Sequence, residues 1–95
     1  MSLQEKVFAL LKKIPKGRVT SYKEMARKLG TSPRAVGKAL SANPHPIKIP
    51  CHRVVHADGR IGGYKLGVKK KISLLKEEGI NIKSGRIENL RFYRL

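Results

Sequence analysis

Five prolines divide the chain, and they limit how long any helix in its first fifty residues can be. Each ring lacks an N–H, clashes with the preceding turn, and pushes the residue before it toward extended geometry. Ahead of Pro15, Ser2-Leu3-Gln4-Glu5 is a capping box, and Leu3, Val7, Leu10, Leu11 and Ile14 recur at helical spacing. One amphipathic helix is therefore predicted to run up to Pro15. Lys16-Gly17 is a turn, and Arg18-Val19-Thr20 has room for only a scrap of strand. Ser21-Tyr22-Lys23-Glu24 repeats the capping box and opens a helix with Met25, Ala26 and Leu29 inward and Gly30 as its terminator. Ser32-Pro33 reads as N-cap and first position of a third helix, whose buried side is Val36, Ala39 and Leu40. Asn43-Pro44-His45-Pro46 cannot continue it.

Two short helices about the Gly30-Thr31 turn make a helix-turn-helix pattern. In a neutral chain an ordinary helical hairpin would compete on equal terms. Here Lys and Arg outnumber Asp and Glu 22 to 6, for a formal charge of +16, which calls for a polyanionic partner. Nucleic acid is favoured over an anionic membrane, because no long amphipathic helix sets a basic face opposite an aromatic one. The second helix of such a unit enters a DNA groove N-terminus first, which makes Arg34 and, one turn on, Lys38 the expected contacts. Ala35, Gly37, Ala39 and Ala42 thin that helix for close approach. Gly37 costs about 0.5–1 kcal/mol relative to alanine, so it is expected to have a packing reason. No apolar run approaches the ~20 residues of a membrane span, the N-terminus is helical and unlike a cleavable leader, and one cysteine makes no internal disulfide. The expectation is a cytoplasmic, nucleoid-associated monomer with no membrane partner.

The second half is less periodic. Ile47 and Ile49 alternate inward about Lys48, and Pro50 fixes the approach to Cys51. Val54-Val55 with the Asp58-Gly59 turn suggests a small irregular hairpin from Arg53 to Ile61. Gly62 to Gly67 reads as a mobile loop in which Tyr64 either covers an apolar pocket or is an ordinary core tyrosine. Val68 to Glu78 is the fourth helix, with a stripe of Val68, Ile72 and Leu75 and Gly79 as terminator. Lys69-Lys70-Lys71 at its start opposes the helix dipole unless an anion such as phosphate lies nearby. Ile80, Ile82, Ile87, Leu90 and Phe92 look like a flap that returns to the core around Lys83-Ser84-Gly85. The expected fold is mainly α: one small domain with a winged-helix-like helix-turn-helix at about 21–42, and a hairpin and active-site loop at about 43–67.

Cys51 is the only thiol, followed at once by His52 and Arg53. A soft nucleophile beside groups that favour its anion is a reactive-cysteine pattern, since the thiolate is what attacks. Three readings compete. A lone intracellular cysteine is commonly a small buried hydrophobe, and His52 and Arg53 can be merely solvated. A metal site using His45, His52 and His56 lacks a second cysteine and paired spacing, so no metal or cofactor is assigned. Asn43 is equally a plain helix cap or a tie between the third helix and the Cys51 loop.

Together these stretches resemble the C-terminal domain of the O6-alkylguanine-DNA alkyltransferases, also called methylated-DNA-protein-cysteine methyltransferases. The resemblance rests on Ser21-Tyr22, Arg34-Ala35-Val36-Gly37, Asn43-Pro44, Pro46, Ile49-Pro50-Cys51-His52-Arg53-Val54-Val55, Gly62, Tyr64 and Glu78-Gly79, in one order from about Val7 to Gly79. It implies cofactor-free DNA repair by irreversible transfer of the alkyl group from O6 of guanine in duplex DNA to Cys51. His52 would take the thiol proton through a water, and Glu78 would orient His52. The target base must be flipped from the stack. Arg34 would fill the gap, with the helix in the minor groove and Ala35, Lys38 and Arg53 also at the DNA. Tyr22 would turn the 3′ phosphate and hydrogen-bond the flipped base. Asn43 would brace the loop, and Pro46, Val54, Tyr64 and Lys65 would line or support the alkyl pocket. Many members place an RNase H-like domain before this one, and residues 1–95 are expected to be the catalytic and DNA-binding domain alone. Lys65 stands where a serine is usual. Non-repairing, alkyltransferase-like sensors carry tryptophan at the position of Cys51, so retention of the thiol argues for the reactive branch over a damage sensor or a helix-turn-helix regulator.

Overall fold

A computed structural model describes residues 2–45 and 48–95, so the expectations placed on Pro46 and Ile47 fall outside the described residues. Helix α1 spans Leu3–Leu11, and its capping box is closed in both directions between Ser2 and Glu5. It stops short of Pro15. Lys13 and Ile14 instead form tighter bonds to the carbonyls of Leu10 and Leu11, which keeps Ile14 buried while the chain turns away.

Strand β1, Thr20–Ser21, leads directly into α2, Tyr22–Leu29. Ser21 Oγ accepts from the Glu24 N–H at 3.0 Å, but the predicted second box does not close, because the Glu24 carboxylate turns to Arg27 one turn along the surface. Gly30 ends α2 in the left-handed conformation. Ser32 Oγ then accepts from the Ala35 N–H at 3.1 Å and starts α3, Pro33–Ser41. The helix-turn-helix is thus present, and Val7, Leu11, Met25, Ala26, Val36 and Leu40 from α1, α2 and α3 form one apolar core with Ile49, Cys51 and Val54.

A 3₁₀ turn, Cys51–Arg53, delivers the chain to β2, Val54–Val55. The sequence suggested that these valines open a local hairpin. They pair in parallel with β1 instead, Thr20 opposite Val54 and Ser21 opposite Val55. Both valines are fully buried, and the segment before α2 supplies a buried partner, whereas Arg60 is exposed. Only the tight turn survives, closed by the Gly59 N–H on the His56 carbonyl and the His56 N–H on the Arg60 carbonyl, each at 2.9 Å. Successive strand residues face opposite ways, so Val54 joins the core of α1 to α3 while Val55 joins a second cluster with Val19, Ile61, Leu75, Ile80, Ile87 and Tyr93.

That second core is made by α4, Val68–Glu77, by the antiparallel pair β3, Ile82–Lys83, and β4, Arg86–Ile87, and by the short α5, Leu90–Tyr93. The predicted turn around Ser84-Gly85 is present. Phe92, expected in the core, is 70% exposed with the Arg18 guanidinium over its ring, and Tyr93 goes inside at 8%. The Tyr93 carbonyl accepts from the Val19 N–H at 3.0 Å, and that bond fixes which residue of α5 turns inward. No helix among the described residues is long and apolar enough to cross a membrane.

Ser32→Ala removes the side-chain N-cap of α3 and should lower unfolding free energy by about 1 kcal/mol, read as a shift of the urea midpoint at unchanged slope.

Candidate active site

The bend after α3 places Asn43 fully inside, and its amide makes three bonds to the loop that follows. Nδ2 donates to the Ile49 carbonyl at 3.0 Å and to Cys51 Sγ at 3.3 Å, while Oδ1 accepts from the His45 N–H at 2.8 Å. The choice between helix cap and tie is thereby resolved in favour of the tie. The Asn43 carbonyl in turn accepts from Lys65 Nζ at 2.7 Å, which draws the glycine loop against the same bend.

His52 Nε2 lies 2.8 Å from Glu78 Oε2, and both side chains are almost wholly buried. An ionised carboxylate only accepts, so Nε2 carries the proton and Nδ1 of the neutral ring has a free lone pair. Nδ1 is buried with no partner among the described residues. Burial lowers the His52 pKa against the opposing pull of Glu78, so the ring is neutral at physiological pH. Burial also pushes Glu78 up, but hydrogen bonds from Arg53 and His52 outweigh it and hold the carboxyl below its usual value. Arg53 grips Glu78 through Nε and Nη2, each at 2.9 Å, and its Nη1 donates to the Ile14 carbonyl at 2.8 Å. Expected at the DNA, the Arg53 guanidinium is instead spent inside the protein, because the helical turn of the Cys51–Arg53 segment aims it at Glu78.

Cys51 is 5% exposed, and its neighbours do not make it an anion at rest, as the sequence suggested. Burial raises its pKa, and the Asn43 amide, Lys71 and Lys65 offset this only in part. The sulfur rests as a thiol and needs a base.

Lys71 is the residue that sequence reasoning missed. Val68 was expected in the inner stripe of α4 but is 46% exposed, and Lys71 is 0% exposed. The buried face runs Lys71, Leu74, Leu75 and on to Glu78. That i, i+3/i+4, i+7 spacing was visible in the sequence but passed over because its ends are charged. Lys71 does not wait at the helix start for a phosphate. Its Nζ donates to the Gly63 carbonyl at 3.1 Å and, more weakly, to Tyr22 Oη at 3.5 Å, with the ammonium 5.7 Å from the centre of the Tyr22 ring. Burial lowers its pKa to about 8. Burial, and then the nearby Cys51, raise the Tyr22 phenol. His56, read only as a weak metal candidate, packs against Tyr22 with ring centres 5.1 Å apart and planes tilted by 49°. A side chain at Gly62 would meet Tyr22 Oη and His56 Nε2, each at 3.1 Å, so a glycine lets the loop pass there.

These groups surround two adjoining cavities. One, of about 290 Å³, has Cys51, Tyr22, Tyr64 and Lys65 on its wall together with the α3 residues Gly37 and Leu40. The other, of about 340 Å³, shares Tyr22, Gly37 and Gly63 and reaches Arg34 and His56. Gly37 lies on the wall of both, but a Cβ there would meet nothing within 4 Å, so the packing reason expected for this glycine is not found within the protein. Tyr64 Oη is buried without a partner among the described residues, and burial takes its pKa to about 12. Arg34 and Lys38 are exposed on α3, with Ala35 half-buried between them. Val54 is not on the cavity; its pairing with Thr20 puts it in the core. The pocket role expected for Pro46 lies outside the described residues. Among the described residues no group of three or more His, Cys, Asp or Glu is placed to hold a metal ion.

Residues 2–80 match the family model described as 6-O-methylguanine DNA methyltransferase, DNA binding domain. The chain is 58% identical over 76 residues to a methylated-DNA-protein-cysteine methyltransferase of Saccharolobus islandicus, which covers 80% of this chain and 50% of that protein. It therefore spans about half the length of the curated relatives it matches. It is also similar to the crystal structure of Mycobacterium tuberculosis OGT in complex with DNA, with a TM-score of 0.79, 41% identity, and coverage of 83% of this chain and 49% of that one. For S. pombe Atl1 in complex with damaged DNA the TM-score is 0.83 at 30% identity, covering 100% of this chain and 98% of that one.

Glu78→Gln should destabilise the protein by about 3 kcal/mol at pH 7, because it leaves the Arg53 charge buried without its counter-charge. The folded pKa of Glu78 is depressed, so its contribution is present above the unfolded carboxylate value of about 4.3 and is lost as pH falls through the lower folded value. The gap between wild type and variant in urea unfolding should accordingly shrink on acidification below that value.

Proposed function

We propose, from the premise that the chain belongs to the O6-methylguanine-DNA methyltransferase family, that residues 1–95 bind alkylated duplex DNA and move the O6-alkyl group of guanine onto Cys51. The observation that carries this reading is a buried thiol on the wall of a cavity with room for one base, beside a histidine whose far nitrogen is pinned by a carboxylate. In this reading Nδ1 of His52 takes the thiol proton through one water. The thiolate attacks the alkyl carbon, an S–C bond forms, the C–O6 bond breaks, and its electron pair returns to the guanine ring, which ends up with the proton. Nothing reverses the thioether, so each molecule acts once.

The leaving base gains negative charge as the C–O6 bond breaks, and a hydrogen bond from Tyr22 would stabilise it. Lys71 supports that donor, because an ammonium behind the phenol favours a shift of its proton toward the base. The unpartnered Tyr64 hydroxyl offers a further bond inside the cavity. Arg34 borders the adjoining cavity, which suits a side chain that enters the stack as the base leaves it. The small residues of α3 suit the minor groove, and Lys38 would lie at phosphates. DNA in the complexes of the structural relatives supports the choice of partner.

The likeness to Atl1 over nearly that protein's full length favours a second reading, recognition of damage without transfer. The readings part on one measurement. After incubation with a duplex holding one O6-methylguanine, the peptide containing Cys51 should gain the mass of one methyl group, and an unchanged mass would leave only the binding role. Cys51→Ser should abolish the gain while changing duplex affinity by no more than a few-fold.

Lys71→Met should slow transfer about ten-fold at pH 7, with the deficit narrowing as pH rises through about 8 and the wild-type ammonium loses its proton. The same change should raise stability at pH 7. A base with a depressed folded pKa is stripped of its charge on folding at less cost as pH rises, so the penalty that methionine removes is fully present below about 8.

A further inference from the structure

One charge on the cavity wall has no part in the transfer described above. Lys65 follows Tyr64, lines the cavity that holds Cys51, and sends its ammonium across to the Asn43 carbonyl. An ammonium has three donors, and that carbonyl occupies one. No carboxylate pairs with Lys65 among the described residues, and no residue lining the cavity is acidic. The positive charges of Lys65 and Lys71 both bear on the sulfur. In the alkyl-transfer reading a group attached at O6 and lined up with Cys51 Sγ enters this cavity, whose wall carries the Lys65 charge and no anion, while Lys71 stays buried behind Tyr22. Lys65 is itself exposed, so solvent screens that field and its effect is modest.

We propose that Lys65 tunes the cavity toward O6-carboxyalkylguanine, so that an alkyl group ending in a carboxylate is taken in preference to an uncharged group of the same size. This rests on the alkyl-transfer reading and names its substrate class. With an O6-carboxymethyl group, the thiolate would attack the methylene carbon, the C–O6 bond would break with its electron pair going to guanine, and Cys51 would become S-carboxymethylcysteine. The carboxylate keeps its charge throughout and rests against the free donors of Lys65, while the bond to Asn43 is retained.

The test compares single-turnover rates on two duplexes, one with O6-carboxymethylguanine and one with O6-carbamoylmethylguanine, its neutral isostere. Lys65→Met should lower the carboxymethyl-to-carbamoylmethyl rate ratio about five-fold, a size in keeping with one partly exposed ion pair, and added salt should erode the wild-type ratio. Lys65→Arg, which keeps the charge, should hold the ratio within about two-fold of wild type. Loss of the tie to Asn43 would slow both substrates alike and leave the ratio unmoved. A ratio equal in all three proteins overturns the assignment of Lys65, as does an unchanged ratio with weaker duplex binding, which would make Lys65 a phosphate contact. Wild-type protein that takes the methyl group of O6-methylguanine but neither of these two would also overturn the carboxyalkyl preference, and wild-type protein that takes none of the three would overturn the alkyl-transfer reading itself.

Discussion

A carboxylate at the C-terminal end of a helix faces the negative end of the helix dipole, and one that is also buried loses its hydration. Glu78 bears both costs and is held by cationic or N–H groups from two other stretches of chain. His52 and Arg53 come from the 3₁₀ turn after Cys51, and the Gly17 N–H, at 3.3 Å, comes from the link between α1 and β1. Arg53 extends the hold to the Ile14 carbonyl. Gly17 has a φ of +85°, and a side chain there would lie 3.3 Å from the Glu78 carbonyl oxygen, so the approach needs a residue without one. Through this one carboxylate, α4, the nucleophile's turn and the end of the first helix share a fixed geometry.

The electrostatics of the site follow from that clamp. Burial keeps Cys51 protonated and His52 neutral, which is a donor and an acceptor waiting for each other, rather than a preformed ion pair. His52 Nδ1 and Tyr64 Oη are the buried side-chain polar atoms without partners among the described residues, and both belong to this one region. Unmet hydrogen-bonding capacity of that kind is costly in a core and useful in a place that receives a ligand.

The front half of the fold was readable because its signals are local. Capping serines, prolines and i, i+3, i+4 apolar spacing set α1, α2 and α3, although the side chain of Glu24 had a rival partner in Arg27 that no box pattern records. The parallel pairing of β1 with β2 was not readable, since two-residue strands carry no period and their partners lie more than thirty residues apart. The site divides along the same line. Cys51, His52, Glu78, Tyr22 and Asn43 were picked out by type and by resemblance, and the structure gathers them. Arg53, expected at the DNA, turns its guanidinium inward to Glu78, and Val54 lies in the core with Cys51 and off the cavity wall, because a side chain close to a nucleophile can face either way. Lys71 was missed because a lysine is ordinarily solvated, and only the tertiary structure closes over it.

Helix α4 presents Lys71 to Tyr22 near its start and Glu78 to His52 at its end, seven residues and close to two full turns apart, about 10.5 Å of rise. It behaves as a measuring rod laid between two chemical groups. Exchanges along its exposed side leave the spacing intact. Lengthening or shortening it by a single residue between those marks would swing one end by about 100° against the other, so this helix tolerates drift in composition but not in count.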